Sequence, residues 1–321
     1  GATGATGGTG GTGGTGTGGT GGIGATGGTG GDTLKGGSGN DIIVGGVGND
    51  QITGNGGTDD ITGGVGDDQL TGNAGVDTFR VDSGTDTITD LSGSGVTADI
   101  LIVSATATAK ATGIASFTAT NATKNNGTAL LTAASGGTID MTLSTAGAYT
   151  ITGSSGNDTL KGSDQDDTFV IAGFGQADND IINGGSGNDT IDGGDGTDTL
   201  TLSSGSHSFN TDAKLQSIDA INLASTATVI DLTGQTEGLN ITGGAQGDTI
   251  TAGSGDDTIN GAAGADIITG ADGKDTISLG SSDSASDVII FSKASSLTGM
   301  DIINQFNAGA SNGDILKYIG N

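Results

Sequence analysis

The chain of 321 residues contains no cysteine, no proline and no tryptophan, and aromatic residues make up only 3% of it. The lack of cysteine excludes disulfides and thiolate metal sites. So few aromatic residues argue against a thick globular core, and no apolar run approaches the length of a membrane span. The apolar residues are mostly Ile, Leu, Val and Ala, which suits a thin solenoid.

Basic residues are also scarce. There are 9 Lys and Arg residues against 37 acidic ones, which gives a net charge of −28. Such a chain should repel nucleic acid and anionic membranes. Glu237 is the only glutamate, and the aspartates recur singly at a fixed interval, whereas disordered acidic tails carry their charge in blocks. This spacing predicts a bound counter-cation.

Glycine is abundant, with 68 residues, and much of it belongs to a nonapeptide of the form Gly-Gly-x-Gly-x-Asp-x-apolar-x. Residues 36–44 and 45–53 are two consecutive copies, and sixteen copies fall into three blocks. The aspartate at the sixth position is the candidate metal ligand of each copy. These residues are Asp32, Asp41, Asp50, Asp59, Asp68, Asp77, Asp86, Asp158, Asp167, Asp180, Asp189, Asp198, Asp248, Asp257, Asp266 and Asp275.

The eighth position of the repeat is always large and apolar, although only 31% of the chain is hydrophobic. A flexible Gly-rich linker would not keep such a phase. The residues are Leu34, Ile43, Ile52, Ile61, Leu70, Phe79, Ile88, Leu160, Phe169, Ile182, Ile191, Leu200, Ile250, Ile259, Ile268 and Ile277. The x-apolar-x triplet predicts a short strand whose middle side chain points inward.

The repeat suits a hard cation. Its glycines permit positive φ and close approach of the backbone to an ion, so that the loop can turn several carbonyl oxygens toward one point. The aspartate adds charge, and ligation by oxygen alone favours Ca²⁺ over Zn²⁺ or Cu²⁺. Two nonapeptides, each a loop and a strand, would complete one coil of eighteen residues.

The three blocks resemble the RTX (repeats-in-toxin) nonapeptides of calcium-binding proteins. The resemblance implies an all-β fold, namely a right-handed parallel β-roll or β-solenoid with calcium-binding turns, interrupted by β-rich spacers. It also implies that several Ca²⁺ ions lie between loops stacked one coil apart on the same flank. The stacked pairs would be Asp32 with Asp50, Asp50 with Asp68, Asp68 with Asp86, Asp41 with Asp59, Asp59 with Asp77, Asp180 with Asp198, Asp248 with Asp266, and Asp257 with Asp275.

Blocks two and three depart from the repeat pattern. A slip of four residues between Asp167 and Asp180 weakens the prediction of ion sites at Asp158, Asp167 and Asp189. The glycine of the fourth position is replaced at Gln165, Asp178 and Gln246, which predicts weaker loops at the starts of these blocks.

The blocks alternate with other segments. The predicted organisation is a Gly/Thr-rich lead-in (1–26), block one (27–92), a β-rich spacer (93–152), block two (153–201), a second spacer (202–242), block three (243–278) and a closing β segment (279–321). The spacers repeat each other at a distance of ninety residues, which favours coils that continue through them. Separate small β-sandwiches are the alternative. Residues 1–22 contain only Gly, Ala and Thr, and we interpret them as a linker, an extended Gly-rich helix or placeholder residues. The phase of the repeat nevertheless predicts that the coil extends upstream through residues 18–26.

No catalytic apparatus is identified, and the chain is predicted not to be an enzyme. His207, the only histidine, lies in a polar stretch that predicts a solvated surface residue rather than a catalytic base. The repeated aspartates could supply paired carboxylates of the glycosidase type, but nearly all of them already have a predicted calcium role.

The sequence favours a secreted, calcium-folded structural protein of the cell surface. An RTX-type S-layer or surface-assembly subunit is the first hypothesis, the repeat region of an RTX adhesin or filament the second, and the secretion module of a hydrolase exported by type I secretion the third. Expected partners are copies of the chain itself, in a lattice or filament, and a cell-surface polysaccharide anchor through parts outside this sequence. No nucleic acid partner and no membrane span are expected. Because the chain begins at Gly1 and not at Met, it is expected to be a fragment or a processed product.

Overall fold

The computed structural model describes residues 15–17, 22, 24–171, 180–185, 189–194, 197–202, 205–280, 285–292, 301–306 and 313–319. The chain divides into two compact units, Gly1–Thr168 and Phe169–Asn321. Regular structure in the described part is almost entirely β-strand. Its helical elements are two 3-10 turns, Gly95–Thr97 and Asp212–Lys214, and neither has the length or the apolar character needed to cross a membrane. The predicted all-β class is confirmed.

The first unit contains fifteen described strands before a sixteenth at its boundary. They are β1 (Thr15–Thr17), β2 (Gly24–Thr26), β3 (Thr33–Lys35), β4 (Ile42–Val47), β5 (Gln51–Gly56), β6 (Asp60–Val65), β7 (Gln69–Ala74), β8 (Thr78–Val81), β9 (Thr85–Ile88), β10 (Ile100–Val103), β11 (Thr108–Thr118), β12 (Lys124–Asn125), β13 (Thr128–Asp140), β14 (Thr150–Gly153), β15 (Thr159–Lys161) and β16 (Thr168–Ile171).

Block one forms a parallel solenoid with two sheets. Each strand pairs in parallel with the strand two places further along, so that partners are eighteen residues apart. This register places the eighth-position residues in two inward columns, since alternate side chains of a strand point to opposite faces. One column contains Leu34, Ile52, Leu70 and Ile88, and the other Ile43, Ile61, Phe79 and Leu101. All eight side chains are at most 1% exposed. The predicted coil of two nonapeptides is confirmed.

The first spacer continues these ladders. Strand β10 pairs with β8, β11 with β9, and β13 with β11, all in parallel. The spacer therefore extends the solenoid and forms no separate β-sandwich. Strands β11 and β13 have 11 and 13 residues, much longer than the strands of the nonapeptides. Their inward side chains, among them Phe117, Leu131 and Ile139, are fully buried.

The coil also extends upstream of block one, as predicted. Gly16 of β1 pairs with Leu34, and Ala25 of β2 pairs with Ile43. Ala25 is 2% exposed, so a small side chain occupies the inward position of that turn. Residues 1–14, 18–21 and 23 lie outside the described residues, and our interpretations of the lead-in stay untested there.

The second unit repeats the same construction in its described strands. These are β17 (Ile181–Asn183), β18 (Thr190–Asp192), β19 (Thr199–Leu202), β20 (Gly205–Ser208), β21 (Leu215–Gln216), β22 (Ala220–Leu223), β23 (Thr228–Asp231), β24 (Asn240–Thr242), β25 (Thr249–Thr251), β26 (Thr258–Asn260), β27 (Ile267–Thr269), β28 (Thr276–Ser278), β29 (Val288–Ser292), β30 (Ile302–Asn304) and β31 (Ile315–Ile319).

The second spacer and the closing segment both belong to parallel ladders. Strand β22 pairs with β19 and β24, and β23 pairs with β20 and β25. Beyond block three, β29 pairs with β27, β30 with β28, and β31 with β29. The strands predicted for the closing segment thus stack on block three as further coils.

The ninety-residue duplication is visible in individual hydrogen bonds. The N–H of Tyr149 donates to Asp167 Oδ1 at 2.6 Å, and the N–H of Leu239 donates to Asp257 Oδ1 at 2.8 Å. Both members of each bond are shifted by ninety residues. The two copies therefore share their coil geometry as well as their sequence.

His207 corrects one prediction. It is 3% exposed and is not a solvated surface residue. The register of β20 with β23 places it opposite Ile230, in the inward column that continues to Ile250. The polar neighbours of His207 concealed this position because a strand of four residues presents only one inward side chain here.

Candidate calcium sites

The sixteen predicted ligands share one environment. Each is at most 4% exposed, and each lies two residues before the inward apolar residue of its strand, so that the alternation of the strand also turns the aspartate inward. A buried carboxylate is costly unless it is paired or fully hydrogen-bonded. The fold therefore has to provide partners for two columns of aspartates.

In eight of the sixteen carboxylates, one oxygen accepts a hydrogen bond from the stacked repeat. In the eight predicted pairs, the backbone N–H of the earlier aspartate donates to Oδ1 of the aspartate eighteen residues later. The distances are 2.7 to 3.1 Å for Asp32–Asp50, Asp50–Asp68, Asp68–Asp86, Asp41–Asp59, Asp59–Asp77, Asp180–Asp198, Asp248–Asp266 and Asp257–Asp275. The structure brings all eight pairs together and places Asp41 and Asp50, which are neighbours in the repeat, in different columns.

The other oxygen faces the first glycine of its own repeat. A Cβ atom at Gly36 would overlap both Oδ2 of Asp41 and the carbonyl oxygen of Gly54, which lies one coil further on. At Gly63 a Cβ atom would overlap Oδ2 of Asp68 and would come within 2.6 Å of Oδ2 of Asp86. Glycine leaves this space open, and oxygen atoms from two stacked repeats border it.

Several of these second oxygens have no protein partner. Oδ2 is buried and without a hydrogen bond in Asp50, Asp59, Asp68, Asp86 and Asp275. Buried polar atoms are nearly always satisfied, so these oxygens mark places for a cation. In the described part of the chain, no three His, Cys, Asp or Glu side chains come together. A cation here would need backbone carbonyl oxygens as well, and this mixed oxygen set is typical of Ca²⁺.

The fourth-position glycine shapes the loop. Gly48 and Gly66 have φ values of +129° and +142°, which are accessible to glycine and strained for other residues. A Cβ atom at Gly66 would also overlap the carbonyl oxygen of Gly48 in the coil before. Both the backbone conformation and the stacking distance therefore require glycine.

The family comparison agrees with this geometry. The model of the RTX calcium-binding nonapeptide repeat, four copies long, matches residues 26–61, 53–88, 145–170, 174–206 and 242–277. The chain is an RTX repeat protein. All sixteen aspartates lie within the matched segments. RTX nonapeptides bind multiple Ca²⁺ ions and are typical of secreted proteins. A comparison with the curated proteins finds no significant match.

The RTX loops of block two are less regular than those of block one. Asp180 and Asp198 form the single predicted pair, and Gly184 lies against Oδ2 of Asp189. Asp158 and Asp167 instead accept hydrogen bonds from backbone N–H groups of the spacer, those of Gly137 and Tyr149. The spacer thus supplies the preceding coil for the first two aspartates of block two. Asp178 lies outside the described residues.

Five further aspartates belong to the columns and were missed in the sequence. Their Oδ atoms accept backbone N–H bonds from Asp77, Asp198, Asp266, Asp275 and Asp287, at 2.8 to 3.2 Å. The missed acceptors are Asp99, Asp219, Asp287, Asp301 and Asp314. Each precedes an apolar residue by two positions, as in the repeat, but lacks the glycine loop. The Asp-x-apolar signal alone would have found them.

Burial and stacking raise the pKa of several column aspartates when no cation is bound. Desolvation, followed by repulsion from stacked carboxylates such as Asp68, raises the pKa of Asp86 to about 7. The same two causes raise the pKa of Asp275 to about 7 and that of Asp59 to about 6. Without a cation, these three carboxyl groups therefore take up protons at a higher pH than an ordinary aspartate does.

These pKa values predict that acid partly substitutes for calcium. A carboxyl group whose pKa rises above the usual 3.8 on folding stabilises the folded chain fully below pH 3.8. This contribution is lost as the pH rises through the folded-state pKa values of about 6 to 7. The calcium-stripped chain, prepared by dialysis, should therefore show more β-structure by circular dichroism at pH 5 than at pH 8. With calcium present the order should reverse, because protons compete with the ion. A stripped chain that gains no β-structure on acidification would contradict the prediction.

The position of an aspartate in its column predicts how much bound calcium is lost when that aspartate is substituted. Asp50 and Asp68 have stacked repeats on both sides, whereas Asp32 begins the column of block one. Asp50→Asn and Asp68→Asn should each remove more bound calcium than Asp32→Asn, as measured by equilibrium dialysis and elemental analysis. Asp82→Asn, at an exposed position outside the columns, controls for the loss of one charge. Equal losses for the three column variants would contradict the pairing.

Proposed function

We propose that this RTX protein is a subunit of an extracellular surface layer, which folds and assembles when it binds Ca²⁺ outside the cell. The observation that carries the proposal is the set of buried aspartate oxygens without protein partners. Bound calcium would neutralise these columns. Because the stacked carboxylates within a column repel one another without a cation, the chain would remain unfolded in a low-calcium cytosol and fold after export.

Coil stacking through the spacers favours a structural role. In each unit, strands with and without glycine loops belong to the same parallel ladders, and this provides extended sheet faces of the kind that repeat proteins use for binding. An assembly built from such faces needs no disulfide, consistent with the absence of cysteine. We infer that the partners are other copies of the chain, and that a polysaccharide anchor involves parts outside this sequence.

Two other roles use the same calcium-dependent fold. The chain could form the repeat region of an RTX adhesin or extracellular filament, where coils stack along one dimension. It could also be the secretion module of a hydrolase, although its spacers exceed what such a module needs.

Electron microscopy of the purified chain at millimolar calcium tests the proposal. A two-dimensional lattice is the result expected of a surface-layer subunit. One-dimensional fibres would favour the adhesin or filament instead, and a monodisperse monomer would overturn assembly of this chain. Repeating the experiment after dialysis against EGTA, and again after calcium is restored, separates calcium-dependent assembly from aggregation.

A further inference from the structure

Two column aspartates differ from the others because a serine donates both its backbone N–H and its hydroxyl to one of their carboxylate oxygens. The first is Asp167. Its Oδ1 accepts the N–H of Tyr149 at 2.6 Å. Its Oδ2 accepts the backbone N–H of Ser163 at 2.6 Å and the hydroxyl of Ser163 at 3.0 Å. Asp167 is 1% exposed, so these donors provide its stabilisation in the folded chain.

Asp99 has the same arrangement at the other end of the first spacer. Its Oδ1 accepts the N–H of Asp77 at 2.9 Å, and its Oδ2 accepts the N–H and the hydroxyl of Ser92 at 2.8 and 3.3 Å. A serine thus provides two donors to the same carboxylate oxygen in both places. In Asp68 and Asp86 the corresponding Oδ2 is buried without a partner.

The loop before Asp167 has also changed in a way that suits internal hydrogen bonding. Ser163 replaces the glycine at the second position of the repeat, and Gln165 replaces the glycine at the fourth position. The N–H of Gln165 donates to the hydroxyl of Ser163 at 3.2 Å, which leaves the hydroxyl hydrogen for Asp167. Side chains therefore take part in closing this turn, whereas glycine occupies both positions in the loop before Asp68.

The coils between the two aspartates have a larger apolar interior than the nonapeptide coils. Strands β11 and β13 bury Phe117, Leu131 and Ile139 completely, and Tyr149 packs inside with its hydroxyl 2.6 Å from Ser144 Oγ. Burying a large side chain stabilises by about 1.5 to 3 kcal/mol, so this stretch has a source of stability that does not depend on an ion.

We propose that Asp99 and Asp167 hold no calcium, and that their serine-saturated carboxylates close off residues 99–168 as a calcium-independent part of the solenoid. Ser92 and Ser163 donate hydrogen bonds to these carboxylates in place of an ion, one serine at each end of the segment. The proposal rests on calcium binding by the RTX blocks and does not depend on the surface-layer assignment.

Hydrogen exchange of the full chain, followed by mass spectrometry, tests the independence of this segment. In EGTA, amides of β11 and β13 should exchange on the order of tenfold or more slowly than those of β5 and β7. In calcium, both pairs of strands should be protected. Equal loss of protection across all four strands in EGTA overturns the proposal. If the calcium-bound chain instead gives monomers by microscopy, only the surface-layer assignment fails.

Calcium stoichiometry tests the two aspartates directly. Asp167→Asn should keep the calcium content of the unmutated chain, while the matched variant Asp68→Asn should lose at least one ion. Loss of an ion by a folded Asp167→Asn chain overturns the proposal. Should Asp167→Asn fail to fold by circular dichroism, Ser163→Ala decides. That variant should keep its calcium but lose protection of β13 and β14 in EGTA, and a lower calcium content would overturn the proposal.

Discussion

Excess EGTA should remove most of the β-structure of the RTX blocks from the calcium-loaded chain, and added calcium should restore it. Extracellular calcium modules bind with dissociation constants of about 10⁻⁴ to 10⁻³ M. At about 10 mM calcium, each occupied site would therefore add roughly 1.4 to 2.7 kcal/mol to the free energy of unfolding. A few such sites together match the entire stability of a typical domain, about 5 to 15 kcal/mol.

Circular dichroism with an EGTA titration measures this effect, and equimolar Mg²⁺ provides the control. Because Mg²⁺ requires near-ideal octahedral geometry and dehydrates reluctantly, it should not restore the spectrum. The β-signal that persists in EGTA should come from residues 99–168. A spectrum unchanged by EGTA would refute calcium-dependent folding of the blocks.

Gly63→Ala should have the second largest effect. The added methyl group would occupy the space bordered by Oδ2 of Asp68 and Oδ2 of Asp86, where two stacked carboxylates face the same point. We expect loss of at least one bound ion, together with an overpacking cost of about 1 to 3 kcal/mol. Calcium content and the denaturation midpoint, each measured in saturating calcium, report the two parts separately.

Gly24→Ala is the matched control, since Gly24 also lies in the first unit and a Cβ atom there has no neighbour within 4 Å. Its stability should change by no more than about 0.5 kcal/mol, as is usual for surface substitutions, and its calcium content should stay constant. A Gly63→Ala chain with unchanged calcium content would contradict the assigned ion site.

The calcium loops could be read from the sequence because every part of them is local. Gly45, Gly48 and Asp50 serve one loop, and Ile52, two residues beyond, points into the core for the same reason that Asp50 does. The period of nine then determines the coil of eighteen, and the coil determines which aspartates stack. Each step uses only the alternation of strands and the conformational freedom of glycine.

Single positions outside the repeat could not be predicted in this way. His207 has polar neighbours and still lies in the inward column, because the register of β20 with β23 sets its direction. Asp99 and Asp301 extend the columns across gaps of 22 and 26 residues, so the period of nine did not reveal them, although both have the Asp-x-apolar signal of the repeat.

The sequence by itself determined the class of fold, the choice of calcium and the two columns of aspartates, because these follow from a repeat whose chemistry is local. Only the tertiary structure decided what each carboxylate oxygen meets. Asp68 and Asp167 occupy the same position of the same repeat, yet one presents an unpartnered oxygen to an open space and the other is saturated by Ser163 and Tyr149. Oδ1 of both aspartates accepts a backbone N–H from the coil before. The difference at Oδ2 arises within the loop, because the folded turn directs the N–H and the hydroxyl of Ser163 onto Asp167.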